Sequence, residues 1–247
     1  MIKLIAAVTM LIDHIGAILL EWNPKWRVQC ELCRIVGRIS LPLFAFCIAR
    51  GFYFSEKHGT TFKYIKNLTI ISLMTQTIFT FMSYFLYGKF EWSRANLNIC
   101  FAWLISVIIL KLISSIKDIK EQKSIISIVA IVALCIVASV APIEYNLYAV
   151  VYPIIFYYTL IKTENPLFCF LLNVMNYFLY TIIEKIPIFA NTTNQIVAIF
   201  ALFIVILIKP KTDKLIKMPK KFFYWFYPAQ FYVLCFIKWY FFLRTKV

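Results

Sequence analysis

Two adjacent residues inside an apolar stretch, Asp13 and His14, carry the strongest chemical signal in the chain. Ionisable side chains are expensive in lipid and mark functional sites by default. An imidazole, with an ordinary pKa near ~6.5, can take a proton at physiological pH. Neighbours on a helix point about 100° apart. The two side chains therefore serve different directions: one faces a site while the other holds a neighbouring helix. On chemistry alone, hydrogen-bonding glue between helices is an equal alternative for His14. Three arginines follow, Arg34, Arg38 and Arg50. Arg34 and Arg38 are one helical turn apart and share a face, and a guanidinium grips carboxylates and phosphates bidentately. Arg34 is expected at the interface and Arg38 deeper, with Asp13 as its partner. Arg50 is expected to snorkel near the cytoplasmic end of its span. A purely structural ion pair is the alternative for Arg38.

Further polar groups punctuate the apolar runs: Asn96, Asn98, Glu144-Tyr-Asn-Leu-Tyr148, Asn173, Asn176, Tyr227-Pro-Ala-Gln230 and Lys238. Each alone reads as interhelical glue; so many together suggest a polar cavity. Pro42, Pro153 and Pro228 fall within the runs, where they free carbonyls and bend helices. Several chemistries are excluded by absence. The sequence holds no G-x-x-x-x-G-K-S/T and no G-x-G-x-x-G, so neither a P-loop nor a Rossmann site is present. It has no GxSxG elbow and no HExxH helix. Cys30-Glu-Leu-Cys33 is the one close cysteine pair among seven cysteines. With only His14 and His58 as further soft ligands, it reads as unpaired or as a local disulfide, and no metal is expected.

The elements that must position these residues are membrane helices. Of 247 residues, 62% are hydrophobic and 15% charged, and the mean hydropathy is +0.81. Soluble domains run at about 45–50% apolar and about 25% charged. A span needs about 20 apolar residues, so about nine spans use most of the chain. Their expected bounds are 2–20, 35–54, 68–87, 96–113, 124–141, 146–161, 166–183, 193–208 and 222–243. The expectation is an all-α polytopic helix bundle, a single domain over residues 1–247. The first span has only Lys3 before it and no small-x-small cleavage site after it, so it is expected to stay in the mature protein.

The formal charge of +15 would suggest nucleic acid on a soluble chain. Here the lysines fall between apolar runs and set topology instead. Lys3 and the even-numbered gaps carry fifteen basic residues, against eight in the odd gaps and the C-terminal tail. The N-terminus is thus expected in the cytoplasm and the C-terminus outside. The densest basic run, Lys209 to Lys221, reads as a loop on anionic lipid that also attracts an anionic cytosolic substrate.

Taken in order, the motifs resemble those of the TraX family, membrane proteins named for the F-pilin acetylase of conjugation systems. The resemblance rests on Met10-Leu-Ile-Asp-His-Ile-Gly16, Arg34-Ile-Val-Gly-Arg-Ile-Ser-Leu-Pro-Leu-Phe-Ala-Phe46 and Gly51-Phe52. It continues through Asn98-Ile-Cys-Phe101, Glu144-Tyr-Asn-Leu-Tyr-Ala149 and Phe223-Tyr-Trp-Phe-Tyr-Pro-Ala-Gln230. It implies an integral inner-membrane acyltransferase, related to the acyltransferase-3 group, that uses cytosolic acetyl-CoA. The family's functional histidine maps onto His14, and its arginine onto Arg34 or Arg38, with Arg38 preferred for depth. The chain departs from the family's pattern at three points. Gln230 stands where the closing motif usually has His, Arg50 where an acidic residue is common, and Asn146 where Gly is usual.

The resulting expectation is acetyl transfer to the amine of a pilin-like peptide, or to a hydroxyl of a membrane glycan. His14 is the general base, with Asp13 and Arg38 ordering the site. Arg34, Arg50, Asn98, Glu144, Tyr227 and Gln230 are the expected substrate contacts. A transporter for an anionic solute would use the same arginines, and a non-catalytic assembly partner is the third reading.

Overall fold

The protein is described by a computed structural model that covers residues 1–21, 23–87, 97–116, 121–183, 196–208 and 222–243. Among these residues the only extended pairing is one isolated bridge, Leu97 to Ile143. The rest is helix and short connections. The helices are α1 (Ile2–Ile15), α2 (Arg27–Gly37), α3 (Ser40–Lys57), α4 (Thr61–Tyr87), α5 (Ile99–Ser115), α6 (Gln122–Val140), α7 (Asn146–Phe156), α8 (Pro166–Ile183), α9 (Ile196–Ile208) and α10 (Phe222–Lys238). The expected all-helical class is what the described residues adopt. Most expected spans fall on one helix each; 35–54 falls on two, and residues 96 and 193–195 lie outside the described residues. By length and composition, Ile2–Leu20, Pro24–Lys57 and Gln122–Val140 are long and apolar enough to cross a membrane; Ile99–Ser115, Pro166–Ile182 and Val197–Leu207 are shorter apolar helices.

Three helices run on into wide π turns: Gly16–Leu20 after α1, Tyr157–Lys162 after α7 and Trp239–Leu243 after α10. Such turns recur at functional sites. The stretch expected as a single span over 35–54 is divided. Helix α2 ends at Gly37, the chain turns at Arg38–Ile39, and α3 starts at Ser40. Pro42 supplies the reason. It has no N–H to give the Arg38 carbonyl and its ring crowds that carbonyl, so a continuous helix is interrupted there, whereas the first turn of a new helix tolerates it.

The chain divides into two compact units. The first comprises Met1–Phe44, Met74–Ala95 and Tyr177–Val247; the second comprises Ala45–Leu73 and Asn96–Asn176. In the first, α1 packs on α2 and α10. Ala6 and Ala7 of α1 and Gly16 at the start of the π turn that follows are buried, and residues this small let helix backbones approach closely. A Cβ at Gly16 would lie 2.8 Å from the Cβ of Cys33. In the second unit, α5 packs on α6 and α7 around Val107, Leu110, Val150 and Phe156. Ser106 donates to the Val150 carbonyl at 2.7 Å, tying α5 to α7.

Candidate functional site

Asp13 and His14 do point apart, as their adjacency on α1 requires. Asp13 turns towards α2. Its Oδ2 accepts a hydrogen bond from Arg34 Nη1 at 2.7 Å, and the side chains are 11% and 30% exposed. The partner bonded to Asp13 is therefore Arg34, one turn earlier than the expected Arg38. The helix break accounts for the change: Arg34 occupies the last turn of α2, facing α1, while Arg38 caps that helix. Arg38 still acts on the carboxylate through its charge. The other carboxylate oxygen, Oδ1, is buried without a hydrogen bond. It lies against Gly37, where a Cβ would collide with Asp13. Gly37 is thus the seat of the aspartate, which its type alone does not reveal.

His14 turns towards α10. Its ring packs on Phe231, with centroids 4.2 Å apart, and more distantly on Tyr227 at 6.3 Å. Phe231 is itself fixed by edge contacts with Tyr227 at 5.5 Å and with Phe79 of α4 at 5.1 Å. The ring is partly buried and its Nδ1 is sealed, without a hydrogen bond. Gln230 sits between Tyr227 and Phe231 in the sequence of α10 and is buried. Its amide lies close enough to interact with the imidazole, yet neither Oε1 nor Nε2 makes a hydrogen bond of ordinary geometry. Arg34 and Arg38 both act electrostatically on the ring. The first unit thus brings together His14, Asp13, Arg34, Arg38, Tyr227 and Gln230. Phe231 and Gly37 join them without having been singled out. The one signal for Phe231 was its place one turn after Tyr227, on the same aromatic face.

The other expected contacts lie in the second unit. Asn98 is fully buried and its amide holds the fold. Oδ1 accepts from the Cys100 N–H at 3.0 Å, capping α5, and Nδ2 donates to the Ser72 carbonyl of α4 at 2.9 Å. Glu144 sits half-buried in the turn before α7, and its N–H donates to the Leu97 carbonyl at 2.9 Å. Arg50, on α3, places its guanidinium 5.5 Å from the centre of the Phe54 ring, a cation–π contact. Asn146 takes a φ of +45°. This is the left-handed region that glycine enters freely and that asparagine, among the others, tolerates best. The departure from glycine at this position thus keeps the backbone geometry. Asn96 and the basic run Lys209 to Lys221 lie outside the described residues.

Cys30 and Cys33 are free thiols, and Cys30 Sγ donates to the Gly16 carbonyl at 3.4 Å. Among the described residues no group of three or more His, Cys, Asp or Glu is arranged to hold a metal ion.

Apolar helices of membrane length, with a histidine and an amide facing each other beside an ion pair, describe a membrane protein with a polar centre among its helices. The family whose model matches residues 1–238 is described as TraX protein, and the chain belongs to that family. A curated relative, "Probable fimbrial assembly protein FimC, serogroup H1" of Dichelobacter nodosus, is 35% identical over 81 residues. That stretch is 33% of this chain and 31% of the relative, so the likeness spans about a third of each. No solved structure matches the chain.

Proposed function

We propose that this chain is an integral-membrane acyltransferase that moves an acetyl group from acetyl-CoA to an acceptor amine or hydroxyl. The observation that carries the reading is His14. It is a proton-accepting ring held in place by Phe231, beside an unbonded buried amide and two arginines. A helix that needed only glue would use both partners in a bond; here the polar atoms are left over. The acceptor nitrogen attacks the thioester carbonyl carbon and its C–N bond forms as His14 takes the proton. Collapse of the tetrahedral intermediate breaks the C–S bond, and the CoA thiolate leaves and recovers a proton from the imidazolium. Arg38 stabilises the oxyanion, while the Asp13–Arg34 pair holds α1 and α2 in register. The lysine-rich cytoplasmic loops attract the phosphates of CoA, with the N-terminus inside the cell and the C-terminus outside.

The acceptor is the N-terminal amine of a pilin-like peptide. The family resemblance supports this, as does the partial likeness to a protein named for fimbrial assembly. The test is CoA release from acetyl-CoA by purified protein, with a synthetic apolar peptide bearing a free N-terminus. The acyl-transfer reading expects an added acetyl on the peptide by mass spectrometry, and loss of CoA release in His14→Ala. Turnover within about threefold of the parent in that variant would remove His14 as the base, since general-base catalysis contributes about 100- to 10,000-fold. Movement of an anionic solute across vesicles without CoA release would favour transport instead.

A further inference from the structure

Three buried polar atoms near the His14 ring are left over in the first unit: His14 Nδ1, Gln230 Oε1 and Gln230 Nε2. Gln230 is only 5% exposed. An unsatisfied buried polar group costs about 1–3 kcal/mol, so unbonded groups held side by side need an explanation. Gln230 is flanked on α10 by Tyr227 and Phe231, and both rings pack on the imidazole, at 6.3 and 4.2 Å. Its amide lies beside that imidazole without a hydrogen bond of ordinary geometry.

We propose that Gln230 is a positioning residue that sets the tautomer of His14, with Oε1 accepting from Nδ1–H so that Nε2 carries the lone pair. This deepens the proposed function and rests on His14 being the base. The argument runs through the two ring nitrogens. In a neutral imidazole one nitrogen donates and the other accepts, and the partner of one decides the role of the other. The sealed nitrogen is Nδ1, which no substrate reaches. A working base must therefore keep its lone pair on Nε2 and its proton on Nδ1. A buried N–H needs an acceptor, and Gln230 Oε1 is the unbonded acceptor beside it. The amide oxygen here does what a neutral carboxamide can do without adding a second charge next to Arg34 and Arg38. The Asp13 carboxylate cannot serve in its place, because it points from the same helix towards Arg34 and Gly37.

The experiment uses the two-histidine content of the chain, His14 and His58. In the His58→Gln protein, isotope-labelled imidazole nitrogens report on His14 alone. Spectra are recorded on the full chain in lipid, at a pH where the ring is neutral. The expected spectrum has a protonated Nδ1 and an unprotonated Nε2. Gln230→Glu keeps an acceptor oxygen at the same reach and retains that pattern. Gln230→Leu removes the acceptor, and the ring then shows a mixture of tautomers. With the peptide acceptor, Gln230→Leu loses at least ~10-fold in kcat, a modest share of what a mis-set catalytic histidine costs. Its KM for acetyl-CoA stays within about threefold, because Gln230 acts through the His14 ring and not on the bound donor.

A protonated Nε2 in the Gln230-containing protein, or a spectrum unchanged in Gln230→Leu, overturns the proposal. If Gln230→Leu fails to fold, the spectra of the Gln230-containing protein and Gln230→Glu decide it. Failure of acyl transfer is a separate result. With the expected tautomer in place but CoA release unaffected by His14→Ala, the enzyme reading falls and the Gln230–His14 pairing stands as structure.

Discussion

In the unit formed by Ala45–Leu73 and Asn96–Asn176, buried polar side chains are mostly engaged with one another or with backbone. Asn98 caps α5 and ties it to α4, and Asn176 donates to the Tyr148 carbonyl at 3.2 Å. The Tyr148 and Tyr152 hydroxyls meet at 3.0 Å, and Tyr157 donates to Glu56 Oε2 at 2.7 Å. Ser124 Oγ is an exception, buried without a hydrogen bond, while Asn173, whose Oδ1 is unbonded, still donates its N–H groups to the carbonyl and sulfur of Cys169. The unit containing α1, α2 and α10 differs. Asp13 uses one oxygen and leaves the other, and the sealed nitrogen of His14 and the whole amide of Gln230 make no bond. The same residue types thus serve two purposes. Where polar groups exhaust each other they specify helix contacts. Where they are left over in a buried setting, the fold alone gains nothing from leaving them unbonded.

The comparison can be broken most directly at His14. His14→Ala is expected to lower CoA release by about 100-fold or more while the protein still purifies as a folded species, because the ring supplies chemistry and only modest packing. An equal loss of thermal stability and activity would make the first unit no different from the second. Next in size is Asp13→Asn, which leaves the Arg34 guanidinium without its charge partner. The expected cost is about 3 kcal/mol, at the low end for a buried pair because Arg34 is 30% exposed. The readout is the unfolding midpoint in detergent, and Asp13→Asn with Arg34→Met should recover much of the loss. A double variant no better than the single one would show that the pair is not what holds α1 to α2.

Gly37→Ala comes third. Its Cβ meets Asp13, and overpacking of this kind costs about 1–3 kcal/mol. A normal unfolding midpoint in that variant would contradict the close approach of α1 and α2. The smallest effect, and the control from the other unit, is Asn98→Ala. Loss of a helix cap costs about 1 kcal/mol, and CoA release per folded molecule should stay within about twofold. A larger drop in turnover at unchanged stability would move Asn98 from the fold into the site and blur the contrast between the units.

Much of this is readable before folding is considered, and particular residues show where reading stops. Most of the helices are legible because they are long apolar runs, whereas the short α2, with Arg27, Gln29, Glu31 and Arg34, is not; the charge of Asp13-His14 inside the first run is conspicuous against it. The consequence of their adjacency, one side chain to α2 and the other to α10, also follows from local geometry. The division at Arg38–Ile39 was recoverable in principle from Pro42, whose missing N–H falls four residues on. The choice between Arg34 and Arg38 was not, since both lie on one helical face and the choice depends on where α2 ends against α1. Asn98 shows a different limit: an asparagine in an apolar run invites a binding role, and only the structure shows its amide capping α5 and donating to the Ser72 carbonyl.

What the chain of residues determines alone is what the covalent backbone and the solvent enforce over a few turns. Apolar runs of membrane length become helices, and residues 13 and 14 diverge because successive side chains on a helix are rotated apart. Only the tertiary structure decides that Asp13 meets Arg34 and that His14 meets Phe231 beside Gln230. The reason is distance along the chain: the second of these meetings joins the first helix to the last. No local rule reaches that far, and helix packing alone selects which of several chemically suitable partners arrives.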